Sequence, residues 1–126
     1  MEFLGTQPIY LQIGDYICEN ILLEKWEEGE KIPSVRELAV TTEVNPNTVM
    51  RTYSHLQEKG IIVNQRGIGY FVAEDGSRRT KEMKRSDFIE KELPRFFKNM
   101  ELLDMGLEEL KTLYTQYKET TKEEKV

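Results

Sequence analysis

Apolar residues recur along this chain at spacings that predict most of its elements. Ile9, Ile13, Ile17 and Ile21 stand four apart behind Pro8, as on a helix with one face against a core. Leu11, Cys18 and Leu22 form an adjacent stripe, so more than one side of this helix is expected to be covered. Residues 1–7 read as loose, and Trp26 to Gly29 as a turn. Ser34 then offers an N-cap with Glu37 three residues on, the spacing of a capping box, and Leu38 and Ala39 give a helix of about two turns its apolar positions. A turn through Thr42, Glu43 and Val44 leads to Asn45, a strong N-cap. Pro46 follows at the first helical position, where a missing N–H costs nothing. Val49, Tyr53 and Leu56 form one buried stripe, and Gly60 is the expected stop. Ile61 to Asn64 and Gly69 to Val72 read as two strands, with Gln65, Arg66, Gly67 and Ile68 around the turn. The unit is helix, turn, helix, wing.

That stripe leaves Asn47, Thr48, Met50, Arg51, Ser54 and His55 on the other faces of the second helix. A helix of ~14 residues spans ~21 Å and fits a B-DNA major groove, where its N-terminal end reaches the base edges. Asparagine can pair bidentately with adenine, and threonine can touch a thymine methyl, so Asn47 and Thr48 are the base-reading candidates. Asn45 and Pro46 cap the helix and stand beside them. Arg51 suits a backbone phosphate, and His55 reads as a solvated surface residue. At the wing tip Arg66 supplies a cation, and Gly67 allows close backbone approach. Lys31 could touch a phosphate or stay solvated.

After the wing the pattern changes. EDGSRRTKEMKR, residues 74–85, has no apolar face and a Gly–Ser turn, and reads as a linker running into a helix that Ser86 or Asp87 caps or lies early in. Ile89, Leu93, Phe96, Met100 and Leu103 then alternate at four and three, a seam for helix-on-helix packing. Pro94 lies inside that seam and should kink the helix or move its start, and Gly106 should end it. Leu107, Leu110, Tyr114 and Tyr117 mark a second helix, and KETTKEEKV a frayed tail. Two such helices cannot bury both apolar faces alone. Phe88, Phe96, Phe97, Leu102 and Leu103 ask for a partner, the simplest being the same segment of a second chain.

The motifs P-I-Y-L-Q-I, G-E-K-I-P-S-V-R-E-L-A, V-N-P-N-T-V-M-R-T-Y and R-G-I-G-Y-F-V, in this order, resemble GntR-type winged helix-turn-helix regulators, and more narrowly the small YtrA-type branch. The resemblance covers about residues 8–73; the remainder matches by length and two-helix character. It implies that Arg36, the arginine of the P-S-x-R-x-L-A motif, contacts DNA, with Ser34 beside it able to cap and to donate to a phosphate. Many relatives place serine, threonine or arginine where Pro46 stands, so an arginine–guanine contact is absent there. The resemblance also implies dimerisation through a short C-terminal helical pair, and control of the protein's own gene and of a neighbouring transport operon.

The expected fold is thus mainly α with a small β-hairpin wing (α+β). A winged helix-turn-helix occupies residues 1–75, a linker and helix start 76–86, a helical dimerisation segment 87–122, and a disordered tail 123–126. Dimer residues are expected at Phe88, Ile89, Leu93, Phe96, Phe97, Met100, Leu103, Leu110, Tyr114 and Tyr117.

Composition tests this reading. A net charge of −5 over 126 residues opposes nucleic acid at first sight, but the charge is unevenly placed. Residues 1–30 hold one cation against seven anions, whereas residues 31–73 hold five (Lys31, Arg36, Arg51, Lys59, Arg66) against three. Local field governs docking. The single Cys18 excludes an internal disulfide framework. The chain has no run of eighteen apolar residues and no secretory pattern at its start, so a cytoplasmic protein without a membrane partner is expected. One His and one Cys build no metal or nucleophile site, so neither catalysis nor a cofactor is expected. Two rivals remain: a winged helix used as a protein-interaction scaffold, which the polar Asn47–Thr48–Arg51 face opposes, and a regulator binding a small effector among Phe96, Phe97, Tyr114 and Tyr117.

Overall fold

The computed structural model describes residue 5 and residues 7–124, so the expectations for residues 1–4, 6, 125 and 126 lie outside the described residues. The chain forms two compact units, divided between Lys84 and Arg85.

In the first unit, α1 (Ile9–Leu22), α2 (Val35–Thr42) and α3 (Pro46–Glu58) enclose one core. Ile13, Ile17, Cys18 and Ile21 are buried as the stripe predicts, but Ile9, the first residue of α1, and Leu22, its last, are exposed. The capping box forms in full. The Ser34 hydroxyl accepts from the Glu37 N–H at 3.1 Å, and the Glu37 carboxylate accepts from the Ser34 N–H at 3.1 Å. Asn45 caps α3 by accepting from the Asn47 N–H at 2.8 Å, with Pro46 at the first position. Thr52 joins Val49, Tyr53 and Leu56 on the buried face.

The wing is a hairpin of β1 (Ile62–Gln65) and β2 (Gly69–Val72), with Ile62 opposite Val72 and Gln65 opposite Gly69. Ile61, expected in the first strand, instead precedes it, and its carbonyl accepts from the Ala73 N–H at 2.9 Å. The free edge of β2 is not left open. Gly29 and Ile32 donate to the carbonyls of Val72 (2.9 Å) and Tyr70 (3.0 Å), and Val72 donates back to Glu30 (3.0 Å). Residues 29–32, read from sequence as a turn and a lead-in, therefore act as a third strand that ties the wing to α2.

The stretch expected as linker is helical from Gly76 onward, as α4 (Gly76–Asp87), so Ser86 and Asp87 lie inside a helical run and cap nothing. Its start rests on the wing: a Cβ at Gly76 would stand 2.6 Å from the Ile61 carbonyl oxygen and 2.9 Å from Val72 Cγ1. Close packing, and not a turn, requires this glycine. Thr80 is buried, Met83 packs on the core, and Lys84 pairs with Asp15 of α1.

The second unit contains a π-helical turn (Phe88–Glu92), α5 (Leu93–Leu102) and α6 (Leu107–Glu124). Pro94 falls in the first turn of α5, where its missing N–H is tolerated, and the turn before it widens so that Leu93 N–H donates to the Phe88 carbonyl five residues back. Gly106 does not end α5. Asp104 adopts the left-handed conformation (φ 55°), Met105 N–H reaches the Met100 carbonyl at 2.9 Å, and the helix stops at Leu102. The residues expected to fray, Lys118 to Glu124, continue α6. Met100 is buried and Leu93 and Leu110 are half-buried, while Phe88, Ile89, Phe96, Phe97, Leu103, Tyr114 and Tyr117 are exposed.

Candidate nucleic-acid interface

Three elements of the first unit carry the residues singled out above. The N-terminus of α2 presents Arg36, which is exposed and, among the described residues, forms no ion pair. Ser34 is half-buried, and its hydroxyl oxygen is engaged by the cap. The N-terminus of α3 presents Asn45, Pro46 and Asn47 in the open and Thr48 half-buried. At the hairpin tip Ile68 N–H closes a tight turn on the Gln65 carbonyl at 2.9 Å, leaving Arg66 and Gly67 exposed. Gly67 has φ +80° and open space around its Cα, so backbone conformation is what calls for glycine here.

Two hydrogen bonds fix α3 against the rest. The Tyr53 hydroxyl donates to the Pro33 carbonyl at 2.6 Å, just before α2, and burial pushes this phenol's pKa well above its usual value. The Thr52 hydroxyl donates to the Tyr10 carbonyl at 2.7 Å, on α1. The wing is held through aromatic contact. Tyr70 of β2 meets Tyr53 edge-on with ring centroids 4.8 Å apart, and its hydroxyl lies 3.9 Å from Met50 Sδ. Lys31 lays its stem over Gly69, where a Cβ would come within 2.9 Å of the lysine Cε. Helix and wing are therefore joined by direct side-chain contacts.

Arg51 is placed unexpectedly. Its guanidinium carbon stands 3.9 Å from the centroid of the Tyr10 ring, and His55 meets the same ring edge-on at 6.1 Å. Neither Tyr10 nor Tyr70 is signalled by the apolar spacing. Thr52 was legible, standing three after Val49 and four before Leu56. The cations of α4 behave differently: Arg78 is held by Asp75 and Glu82, Arg79 by Asp75, and Lys84 by Asp15 of α1.

Comparison with known proteins gives this surface a context. Residues 9–72, which include α1, the α2–α3 pair and the whole wing, match the bacterial regulatory proteins of the gntR family. The chain belongs to that family. Among its relatives, the uncharacterised HTH-type transcriptional regulator YhcF of Bacillus subtilis is 48% identical over 73 residues, 58% of this chain and 60% of YhcF. The HTH-type transcriptional repressor YtrA of the same organism is 42% identical over 71 residues, 56% of this chain and 55% of YtrA. The match thus spans little more than half the length of these curated relatives. A solved GntR-family regulator from Bacteroides thetaiotaomicron is 40% identical, with a TM-score of 0.73 over 90% of this chain and 99% of its own. The AraR DNA-binding domain, solved in complex with operator ORX1, is 28% identical, with a TM-score of 0.55 over 57% of this chain and 93% of its own. The fold is accordingly the mainly helical, winged architecture of GntR regulators, a family of transcriptional regulators. Among the described residues no helix is long and apolar enough to cross a membrane, and no three His, Cys, Asp or Glu side chains stand together to hold a metal.

Proposed function

We propose that the chain is a homodimeric repressor that binds an inverted-repeat operator. The N-terminal end of α3, Asn45 to Arg51, enters the major groove, Ser34 and Arg36 flank it from α2, and the Arg66–Gly67 tip lies beside it. The observation that carries this reading is the two-sidedness of α3. One face is closed by Val49, Thr52, Tyr53 and Leu56, while Asn47 and Arg51 on the other face are open. The operator complex of the related AraR domain supports the same use of the fold. Two copies with reading helices about one DNA turn apart select a two-fold symmetric site, and the exposed seam of the second unit supplies the contact between copies. Control of the protein's own gene and of a neighbouring transporter, with location in the cytoplasm, completes the proposal.

A second reading, an effector held in the second unit, has a recess of about 450 Å³ lined by Phe96, Leu107, Leu110, Lys111 and Tyr114 in its favour. The same apolar residues suit a dimer core, which is preferred.

Selection of bound sequences from random duplex DNA at roughly 150 mM salt tests the proposal, with wild type and Arg36→Ala run side by side. Enrichment of an inverted repeat by wild type, with affinity reduced about tenfold or more in the variant, is expected. Absence of enrichment from a folded dimer sinks the operator reading.

A further inference from the structure

Arginine can be held in two ways, and this chain uses both. Arg78 and Arg79 spend N–H donors on carboxylates: Arg78 on Asp75 (3.0 Å) and Glu82 (2.9 Å), Arg79 on Asp75 (2.8 Å). Arg51 forms no ion pair among the described residues and rests on an aromatic ring, its guanidinium carbon 3.9 Å from the Tyr10 centroid. A guanidinium held over a ring face spends no N–H donor on a carboxylate, and those donors are the ones that grip a phosphate bidentately. The ring is itself braced. His55 meets it edge-on at 6.1 Å, and the Tyr10 main chain is tied to α3 through the Thr52 hydroxyl at 2.7 Å.

We infer that Tyr10 is a positioning residue for DNA binding: its ring is the platform that holds the Arg51 guanidinium for a backbone phosphate. The inference rests on the operator-binding reading above and extends it to α1, which carries no residue of the predicted interface. Holding a long side chain in place before binding removes part of the ordering cost otherwise met on association. An arginine so placed acts on any duplex, because phosphates carry no sequence information.

The test uses the full chain and a 30-base-pair duplex of mixed sequence at low salt, with affinity measured against salt concentration. Wild type is compared with Tyr10→Leu, Tyr10→Phe, Arg51→Ala and the Tyr10→Leu/Arg51→Ala double variant. Thermal melts verify folding, and the Thr52 bond to the main chain of residue 10 does not depend on the side chain replaced. Tyr10→Leu is expected to weaken binding by about threefold to fivefold, and Tyr10→Phe, which keeps the ring, to restore it. In the Arg51→Ala background Tyr10→Leu should change nothing, while Arg51→Ala itself flattens the salt slope by about 0.9 for each phosphate that the arginine neutralises. A Tyr10→Leu loss of equal size with and without Arg51 would mean a merely structural role and overturn the inference. So would wild-type binding by Tyr10→Leu. If wild type binds no duplex even at low salt, the DNA reading fails and the inference with it.

Discussion

The N-terminal unit closes its apolar stripes on one another, whereas the C-terminal unit displays most of its own. Ile13, Ile17, Val49, Tyr53 and Ile62 are each 0% exposed, while Phe96, Phe97, Leu103 and Tyr117 are 42%, 50%, 71% and 65% exposed. Both regions carry three- and four-residue spacings, so the pattern alone does not separate them. The difference is the number of covering elements. In the first unit three helices, a hairpin, the strip of residues 29–32 and the start of α4 each cover a face of the others. In the second, two helices and a π turn leave most of their large apolar side chains exposed. An amphipathic pair with no third layer keeps its hydrophobic stripe in water until another surface arrives.

The comparison breaks most visibly in the core. Ile17→Ala should destabilise the first unit by about 2–5 kcal/mol, measured as a shift of the urea midpoint, and the shift should not depend on protein concentration. A concentration-dependent shift would mean that the first unit, too, is completed by a partner. Phe96→Asp is the converse change. It should weaken self-association by about tenfold or more in sedimentation experiments and leave the urea transition of the first unit where it was. An unaltered mass distribution would remove this seam from the dimer contact.

Helix ends show what the sequence displayed and what it hid. Four helices finish in one geometry, a left-handed residue whose successor's N–H reaches back five residues: Lys25 to Asn20, Val44 to Ala39, Ile61 to Leu56 and Met105 to Met100. Only after α3 is the left-handed residue a glycine, Gly60 with φ +76°, and that end was legible. Glu24, Glu43 and Asp104 fill the position elsewhere, which is why Gly106 drew attention as the stop of α5 and was not used. Helix starts read well because Ser34, Glu37, Asn45 and Pro46 act locally. The role of α4 was hidden for the opposite reason: Gly76 and Thr80 are buried by what stands across from them, and small or polar residues give no hydrophobic period. Of the proposed interface, exposed Asn47 and Arg66 announce themselves by type, whereas the Tyr10–Arg51 contact joins two helices and leaves no spacing signal.

A smaller effect sharpens the contrast at the reading helix. Asn45→Ala removes the acceptor for the Asn47 N–H and should cost about 1 kcal/mol in the melt of the first unit. Because the same residue stands at the proposed interface, DNA affinity should fall by more than the stability loss alone explains. Equal affinity in the folded variant would leave Asn45 as a cap only.

The smallest expected effect is a pH dependence confined to the α2 cap. Hydrogen bonds from the Ser34 backbone and side chain hold the Glu37 carboxyl below its ordinary value of 4.5, with nearby Lys31 adding to the effect. A carboxylate depressed in the folded state stabilises that state above its unfolded value, and the contribution disappears as pH falls through the folded one. The first unit should therefore lose this increment only below about pH 4.5. Glu37→Gln retains an acceptor for the Ser34 N–H, as capping boxes permit, but cannot titrate. Its melting temperature should fall less steeply than that of wild type between pH 5 and 3, roughly the carboxylate range. Parallel curves would mean that the exposed carboxylate is screened by water and that the hydroxyl of Ser34 alone holds the first turn of α2.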